Sequence, residues 1–220
     1  MTQYSRLDPA APEIRLLELL PGKGNTPVQC KLQIVDLSKP PAFEALSYVW
    51  GDSSITIPII VDGDTFQATA NLNAALRALR RPQSPRLMWV DAICINQSDI
   101  PEKNVQVSLM SKLYSGAASI VVWLGPSTPD IEFAVSWAQS YAVKKFTAKS
   151  IFWLKLSTLA LFSEEAKIKR SLEMFRVHRG ILDIFCLPYW DRMWTFQKYV
   201  LAKEEPVCIC GELEFRVTVL

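Results

Sequence analysis

The sequence predicts a single α/β domain with a central, largely parallel sheet, an N-terminal strand-rich extension and a helical insertion. Short β-branched and aromatic runs fill the first third of the 220 residues. Two later apolar runs lack alternation, as strands buried on both faces do, and amphipathic helices lie around them. We expect residues 1–42 to form the extension, 43–125 the core, 126–188 the insertion, and 189–220 a closing segment with terminal strands.

Five strand-like runs precede the first helix. They are residues 14–20, 28–37, 43–50, 55–61 and 65–68. The last two flank Asp62-Gly63-Asp64, and an Asp-Gly pair between β-branched runs is a strong hairpin signal. The first third is therefore predicted to be mostly strand.

The first helix is expected to begin at Asn71, an amide side chain suited to an N-cap. Leu72, Ala75, Leu76 and Leu79 follow at the spacing of one helix face. Pro82 ends this pattern.

A strand–helix–strand sequence follows. The helix covers residues 101–118, with Asp99 or Ile100 before it and a proline in its first turn, and it joins apolar strands at 87–90 and 119–124. This spacing is typical of a βαβ unit with parallel strands.

The rest of the chain is expected to be mainly helical. Helices are predicted at 130–145, 147–187 and 190–202, and a terminal hairpin at 207–210 and 213–219.

Composition excludes several classes of protein. The net charge of +2 and the lack of a clustered basic face argue against a nucleic-acid partner. Residues 1–13 have no apolar centre of the signal-peptide kind. The most apolar stretch, 151–162, is shorter than the roughly 20 residues that a bilayer requires. We therefore expect a soluble, cytoplasmic protein without a transmembrane segment.

The cysteines and glycines argue against a required cofactor or metal. Cysteines occur at 30, 94, 186, 208 and 210, and His178 is the single histidine. A zinc site usually needs four ligands in two pairs, and Cys208–Cys210 is the only close pair, so we expect reduced thiols. Cys94 as a nucleophile would need His178 as its base, which lies far along the chain. No dinucleotide or phosphate-loop glycine motif is present.

Three segments of the chain form a recognisable set of motifs. They are 45–52 (Ala-Leu-Ser-Tyr-Val-Trp-Gly-Asp), 89–97 (Trp-Val-Asp-Ala-Ile-Cys-Ile-Asn-Gln) and 189–197 (Tyr-Trp-Asp-Arg-Met-Trp-Thr-Phe-Gln). In this order they resemble the three blocks of the fungal heterokaryon-incompatibility (HET) domain. The resemblance covers residues 43–205, although 126–188 match no recognisable part of it.

The resemblance implies a cell-death effector domain of fungal non-self recognition and innate immunity. HET domains are remotely similar to TIR domains, so a TIR/flavodoxin-like core is also implied. Many TIR domains hydrolyse NAD, which makes NAD the implied substrate. A homo-oligomer on activation and a NOD-like receptor or incompatibility partner protein are the implied partners. The alternative is a non-enzymatic signalling module that acts through homotypic contacts.

The third block departs from the family pattern at its most informative position. TIR domains have a tryptophan followed four residues later by a catalytic glutamate, and HET domains usually have glutamate there as well. This chain has Trp194 and then Lys198. A carboxylate stabilises the oxocarbenium character of ribose cleavage, and a cation opposes it. The resemblance thus predicts an inactive copy, natural or engineered, with Lys198 and Asp91 at the catalytic position.

Candidate ligand-binding side chains accompany these two residues. They are Trp50, Asp52, Trp89, Asn96, Gln97, Arg192 and Trp194. Asp52 and Asp91 each follow an apolar strand, where the ligands of α/β folds gather, and Trp50 or Trp89 would stack on a base. Helix capping and loop hydrogen bonding explain the same polar residues equally well.

Two further side chains have competing interpretations. Arg192 has the planar donor set that suits a phosphate, or it pairs with a neighbouring carboxylate. Glu102 lies in the first turn of its helix, where an interaction with the helix dipole is favoured over catalysis.

Overall fold

The computed structural model describes residues 4–145, 164–191 and 198–220. The strands are β1 (Glu13–Leu19), β2 (Gln29–Asp36), β3 (Glu44–Tyr48), β4 (Thr56–Val61), β5 (Asp64–Thr69), β6 (Arg86–Trp89), β7 (Ser119–Gly125), β8 (Val207–Cys210) and β9 (Leu213–Phe215). The helices are α1 (Ala70–Leu79), α2 (Asp91–Cys94), α3 (Ile100–Gly116), α4 (Pro129–Lys145) and α5 (Glu164–Phe185).

All the described strands belong to one sheet, in the order β5-β4-β2-β1-β6-β3-β7-β8-β9. The prediction of an α/β domain is confirmed, but the prediction of a mostly parallel sheet is wrong. Antiparallel ladders join β1 to β2 and β6, β4 to β5, and β8 to β9, and together they span more residues than the parallel ladders. The reason is that the N-terminal extension joins the central sheet through β1, which pairs antiparallel with both β2 and β6.

Four neighbouring strands, β6, β3, β7 and β8, are parallel. We call the edge where these four strands end the carboxyl edge. The expected βαβ unit from β6 through α3 to β7 is parallel as predicted, but β3 lies between its two strands. The sequence pattern could not indicate this insertion because β3 precedes both strands in the chain.

Local sequence patterns predicted the positions of most strands and helices correctly. In the β4–β5 hairpin, Asp62 and Gly63 have φ of 52° and 87°, as a tight turn between twisted strands requires. The Asp99 carboxylate caps α3 by accepting a hydrogen bond from the Glu102 N–H. The cap of α1 is different from the prediction, because Thr69 Oγ1 accepts from the Leu72 N–H and Asn71 lies inside the helix.

The core lies on both faces of the central strands. Nearly every residue of β1 and β7 is buried, whereas β2 and the first half of β4 are largely exposed. The burial of β7, an apolar strand, is expected where helices and loops cover both faces, whereas β1 also buries the charged Arg15. Among the described residues no helix has the length and apolar character that crossing a bilayer requires.

In the region expected to form the helical insertion, α4 and α5 pack against each other. Gly180 lies so close to α4 that a Cβ there would be 2.1 Å from the Asp130 carbonyl oxygen. The predicted helix at 190–202 is described only in part: Trp190 and Asp191 lie in a turn, 198–200 are helical, and residues 192–197 lie outside the described ranges. Residues 146–163 of the predicted 147–187 helix also lie outside them. The terminal hairpin forms, but its second strand ends at Phe215 and a 3-10 turn follows.

Candidate functional site

Asp91 lies at the carboxyl edge, two residues beyond β6 and at the start of α2. Its carboxylate accepts hydrogen bonds from the Trp50 indole N–H, at 3.2 Å to each oxygen, and from the Ala92 N–H at 2.8 Å. Trp50 follows β3, the strand next to β6. The parallel pairing of the two strands therefore brings the first and second motifs together on this carboxylate.

Lys198 completes this arrangement from the third motif. Its ammonium nitrogen lies 3.9 Å from Asp91 Oδ2 and 4.9 Å from the centre of the Tyr114 ring. The side chains of Lys198 and Asp91 are only 11% and 13% exposed. The sequence allowed position 198 to face solvent or a cleft, and in the structure its side chain lies nearly buried beside Asp91. We call Trp50, Asp91, Tyr114, Lys198 and Tyr48 the Asp91 site.

Two buried tyrosines form the base of the Asp91 site. The Tyr114 hydroxyl donates to the Leu46 carbonyl at 3.1 Å. Burial raises the pKa of Tyr48 and Tyr114 well above the usual range, and the negative charge of Asp91 raises both further. Tyr48 faces Asp91, but its buried hydroxyl makes no well-formed hydrogen bond within the described residues. Both phenols are therefore neutral donors beside a carboxylate.

Asn71 fixes the loop that carries Trp50. Its side-chain amide donates to the Val49 carbonyl at 2.5 Å, and its oxygen accepts from the Trp123 indole at 2.8 Å. The residue thus bridges the ends of β3 and β7 from the first turn of α1. The sequence predicted Asn71 only as the N-cap of the first helix.

The loop after α2 holds the backbone of Asp91. Gln97 Nε2 donates to the Asp91 carbonyl at 2.9 Å, while Gln97 Oε1 is buried and has no hydrogen-bond partner in the described part of the chain. Asn96 shapes the loop itself, because its side-chain oxygen accepts from the Ser98 N–H. Of the two candidate ligand-binding residues in this loop, Gln97 is therefore the one with an acceptor near Asp91, Oε1, that is unpaired among the described residues.

Glu102 forms a buried ion pair with Arg15. Two hydrogen bonds of 2.7 and 2.9 Å join the carboxylate to the guanidinium, and Glu102 also accepts from the Asn96 N–H. The Arg15 side chain is 2% exposed. The carboxylate ties β1 to the start of α3, a structural role that the helix-dipole interpretation did not include.

The comparisons with known proteins identify the family. The family model described as heterokaryon incompatibility protein (HET) matches residues 43–198 of this chain. The chain belongs to the HET family. The match begins just before β3 and ends at Lys198, so all residues of the Asp91 site lie within it.

A curated relative supports the same assignment. The chain is 44% identical over 236 aligned positions to heterokaryon incompatibility protein 6, OR allele, of Neurospora crassa, an alignment that covers 93% of this chain. It covers 34% of the relative, so the chain spans about a third of that protein's length. No solved structure matches the chain.

The remaining candidate residues of this HET domain lie in different settings. Trp89 is fully buried and packs edge to face on Tyr114, with ring centres 5.6 Å apart, so it belongs to the core below the Asp91 site. Asp52 is exposed, and its carboxylate accepts from the Ser54 N–H and hydroxyl, which lowers its pKa. Arg192 and Trp194 lie outside the described residues.

Cys94 of this HET domain is poorly suited to act as a nucleophile. Cys94 is completely buried, and burial raises the pKa of its thiol to about 12. His178 is exposed on α5 and is hydrogen-bonded to the Met174 carbonyl. Within the described ranges no three His, Cys, Asp or Glu side chains converge as a metal ion would require.

Proposed function

We propose that this HET domain is the cell-death effector part of a heterokaryon incompatibility protein, and that the Asp91 site is a TIR-like NAD-hydrolysing site that Lys198 keeps inactive. The observation that carries the proposal is the 3.9 Å approach of the Lys198 ammonium to the Asp91 carboxylate, with both side chains nearly buried. Lys198 stands where the family resemblance implies a glutamate.

The arrangement of the four parallel strands supports a TIR/flavodoxin-like core. In chain order these strands are β3, β6, β7 and β8, and in space they are ordered second, first, third, fourth. Flavodoxin-like sheets have this order, and their ligands bind beyond the carboxyl ends of the strands. The Asp91 site lies at that edge. The antiparallel strands on either side are additions to such a core.

The chemistry explains why the residue at position 198 matters. Hydrolysis breaks the bond between ribose and nicotinamide, so positive charge develops on the ribose while neutral nicotinamide leaves and water adds to the ribose carbon. A carboxylate beside the ribose stabilises that charge, whereas an ammonium group opposes it and also cancels the charge of Asp91. A glutamate at position 198 would place two carboxylates in the Asp91 site.

Several polar groups around Asp91 are available to a ligand. Gln97 Oε1 is a buried acceptor with no hydrogen-bond partner in the described ranges, and the buried Tyr48 hydroxyl faces Asp91 without a well-formed hydrogen bond. Such atoms in a native structure call for a physical explanation. A donor and an acceptor beside a carboxylate suit the hydroxyl and amide groups of a nucleotide. The Lys198 side chain lies beside Asp91 and is only 11% exposed, so a ligand that contacts these groups would have to displace it.

A growth assay in a filamentous fungus tests the proposal. Expression of a Lys198→Glu variant is expected to lower cellular NAD and kill hyphal compartments, whereas the wild type and Lys198→Gln do neither. The Gln variant removes the cation without adding a carboxylate, so it separates the two effects. Killing by all three proteins with unchanged NAD would overturn the enzymatic proposal and favour the non-enzymatic homotypic module.

A further inference from the structure

A cleft opens at the carboxyl edge, next to the ends of β7 and β8. Its volume is about 570 Å³, within the range of small-molecule sites. Its lining includes Lys23, Arg77, Arg80, Trp123, Pro126 and Glu212. We call this cleft the basic pocket. None of these residues belongs to the Asp91 site, and Asn71 links the two regions by binding both Trp123 and the Val49 carbonyl.

The two arginines of the basic pocket are held by neutral groups. Arg80 donates to the carbonyls of Gly24, Thr26 and Pro27. Arg77 donates to the Gly24 carbonyl and to the Asn73 side-chain oxygen. In the described part of the chain neither guanidinium forms a salt bridge with a carboxylate, although Glu212 lines the same pocket.

Arg80 is buried, although it carries a charge. It is 8% exposed, and its Nε is a buried donor with no hydrogen-bond partner among the described residues. The loop approaches it so closely that a Cβ on Gly22 would lie 2.7 Å from Arg80 Nη1. Burial and the nearby positive charge of Arg77 both lower the pKa of Arg80. A desolvated cation beside a second cation is costly unless an anion compensates it.

We propose that the basic pocket binds a phosphate-bearing small molecule of nucleotide size. Arg77 would donate to the phosphate oxygens, since a planar guanidinium group matches phosphate geometry. The buried charge of Arg80 and the Lys23 ammonium would add two further positive charges. The position agrees with the general rule that ligands of α/β sheets gather beyond the carboxyl ends of parallel strands. The assignment is independent of NAD hydrolysis, because it rests on residues that the Asp91 site does not contain.

Calorimetric titration of the full chain at low salt tests the basic pocket. The probes are inorganic pyrophosphate, ADP and uncharged adenosine. Pyrophosphate and ADP are expected to bind and adenosine is not, because the pocket recognises the anion. Loss of one charge-assisted contact in Arg77→Gln should weaken binding about tenfold or more. Arg81→Gln is the matched control, since Arg81 is exposed and does not line the pocket.

Two results would overturn this assignment. One is the absence of binding of both pyrophosphate and ADP to the wild type. The other is equal weakening by Arg77→Gln and Arg81→Gln, which would indicate a diffuse field of positive charge. Because Arg77 also donates to the Gly24 carbonyl, Lys23→Gln provides a second variant. Among the described residues the Lys23 side chain forms no hydrogen bond or salt bridge that this change would remove. Lys23→Gln should weaken pyrophosphate binding while the urea midpoint stays that of the wild type.

Discussion

The Lys198 ammonium and the Asp91 carboxylate form an ion pair at 3.9 Å that is almost closed to water. The distance is too long for a good hydrogen bond, so the contact is mainly electrostatic. Asp91 satisfies its hydrogen-bonding capacity through Trp50 and Ala92 instead. The pair joins the second and third family motifs, and the two opposite charges compensate each other.

Removing the carboxylate of this pair should destabilise the fold strongly. Asp91→Asn leaves the buried Lys198 ammonium without this countercharge, and we expect a loss of about 3 kcal/mol in the free energy of unfolding. Asp52→Asn is the matched control, because Asp52 also follows a parallel strand but is exposed, and it should leave the free energy of unfolding nearly unchanged. Urea denaturation measures both. Equal losses would contradict the importance of the buried pair.

Substitutions of Glu102 and Asp130 distinguish the contribution of a buried ion pair to stability from that of a helix dipole. Both lie in the first turn of a helix, but Glu102 pairs with a buried arginine and Asp130 with Arg176 and Arg179 near the surface. We expect Glu102→Gln to cost about 3 kcal/mol and Asp130→Asn less than about 1 kcal/mol. The comparison uses thermal and urea unfolding. If the two variants lose the same stability, the dipole explains Glu102 and the ion pair does not.

Two helical glycines should respond in opposite directions to alanine. A Cβ at Gly180 would lie 2.1 Å from the Asp130 carbonyl oxygen and 2.6 Å from Ala134 Cβ, so Gly180→Ala must separate α4 from α5. A Cβ at Gly116 meets nothing within 4 Å. Gly116→Ala should therefore gain up to about 1 kcal/mol from helix propensity, while Gly180→Ala loses stability. A Gly180→Ala protein with a wild-type melting temperature would show that the helices do not pack this closely.

The buried thiol of Cys94 should make the fold sensitive to alkali. Burial raises its pKa from 9.0 to about 12, so above pH 9 the unfolded chain releases a proton that the folded protein retains. The contribution to stability is complete below pH 9 and falls by about 1.4 kcal/mol per pH unit as the pH rises towards 12. Cys94→Ala should show a shallower decline than the wild type in urea titrations from pH 8 to 11. Cys186→Ala removes an exposed thiol, and it should follow the wild-type decline.

Local sequence patterns predicted most elements but could not predict how they pair. The Asp62-Gly63 turn and the Asp99 cap depend on residues next to each other in the chain, so their signals are readable. Strand order depends on distant contacts. The pairing of β1 with β6 brings together residues about 70 positions apart, and it changes the sheet from mostly parallel to mostly antiparallel.

Three residues of the Asp91 site could be predicted from the sequence, but the contacts between them could not. The motifs indicated Trp50, Asp91 and position 198, and the structure brings all three together. The Arg15–Glu102 pair and the contact between Tyr114 and Lys198 could not be predicted. The sequence of a helix does not show whether a charged or aromatic side chain contacts water or another element of the fold.

The most direct measurement is the release of nicotinamide from NAD by the wild type, Lys198→Glu and Lys198→Gln, at a protein concentration high enough for assembly. We predict turnover by Lys198→Glu alone, and its loss in the Lys198→Glu/Asp91→Asn double variant. A folded, assembled Lys198→Glu protein that releases no nicotinamide would contradict the view that Lys198 silences an NAD-hydrolysing site.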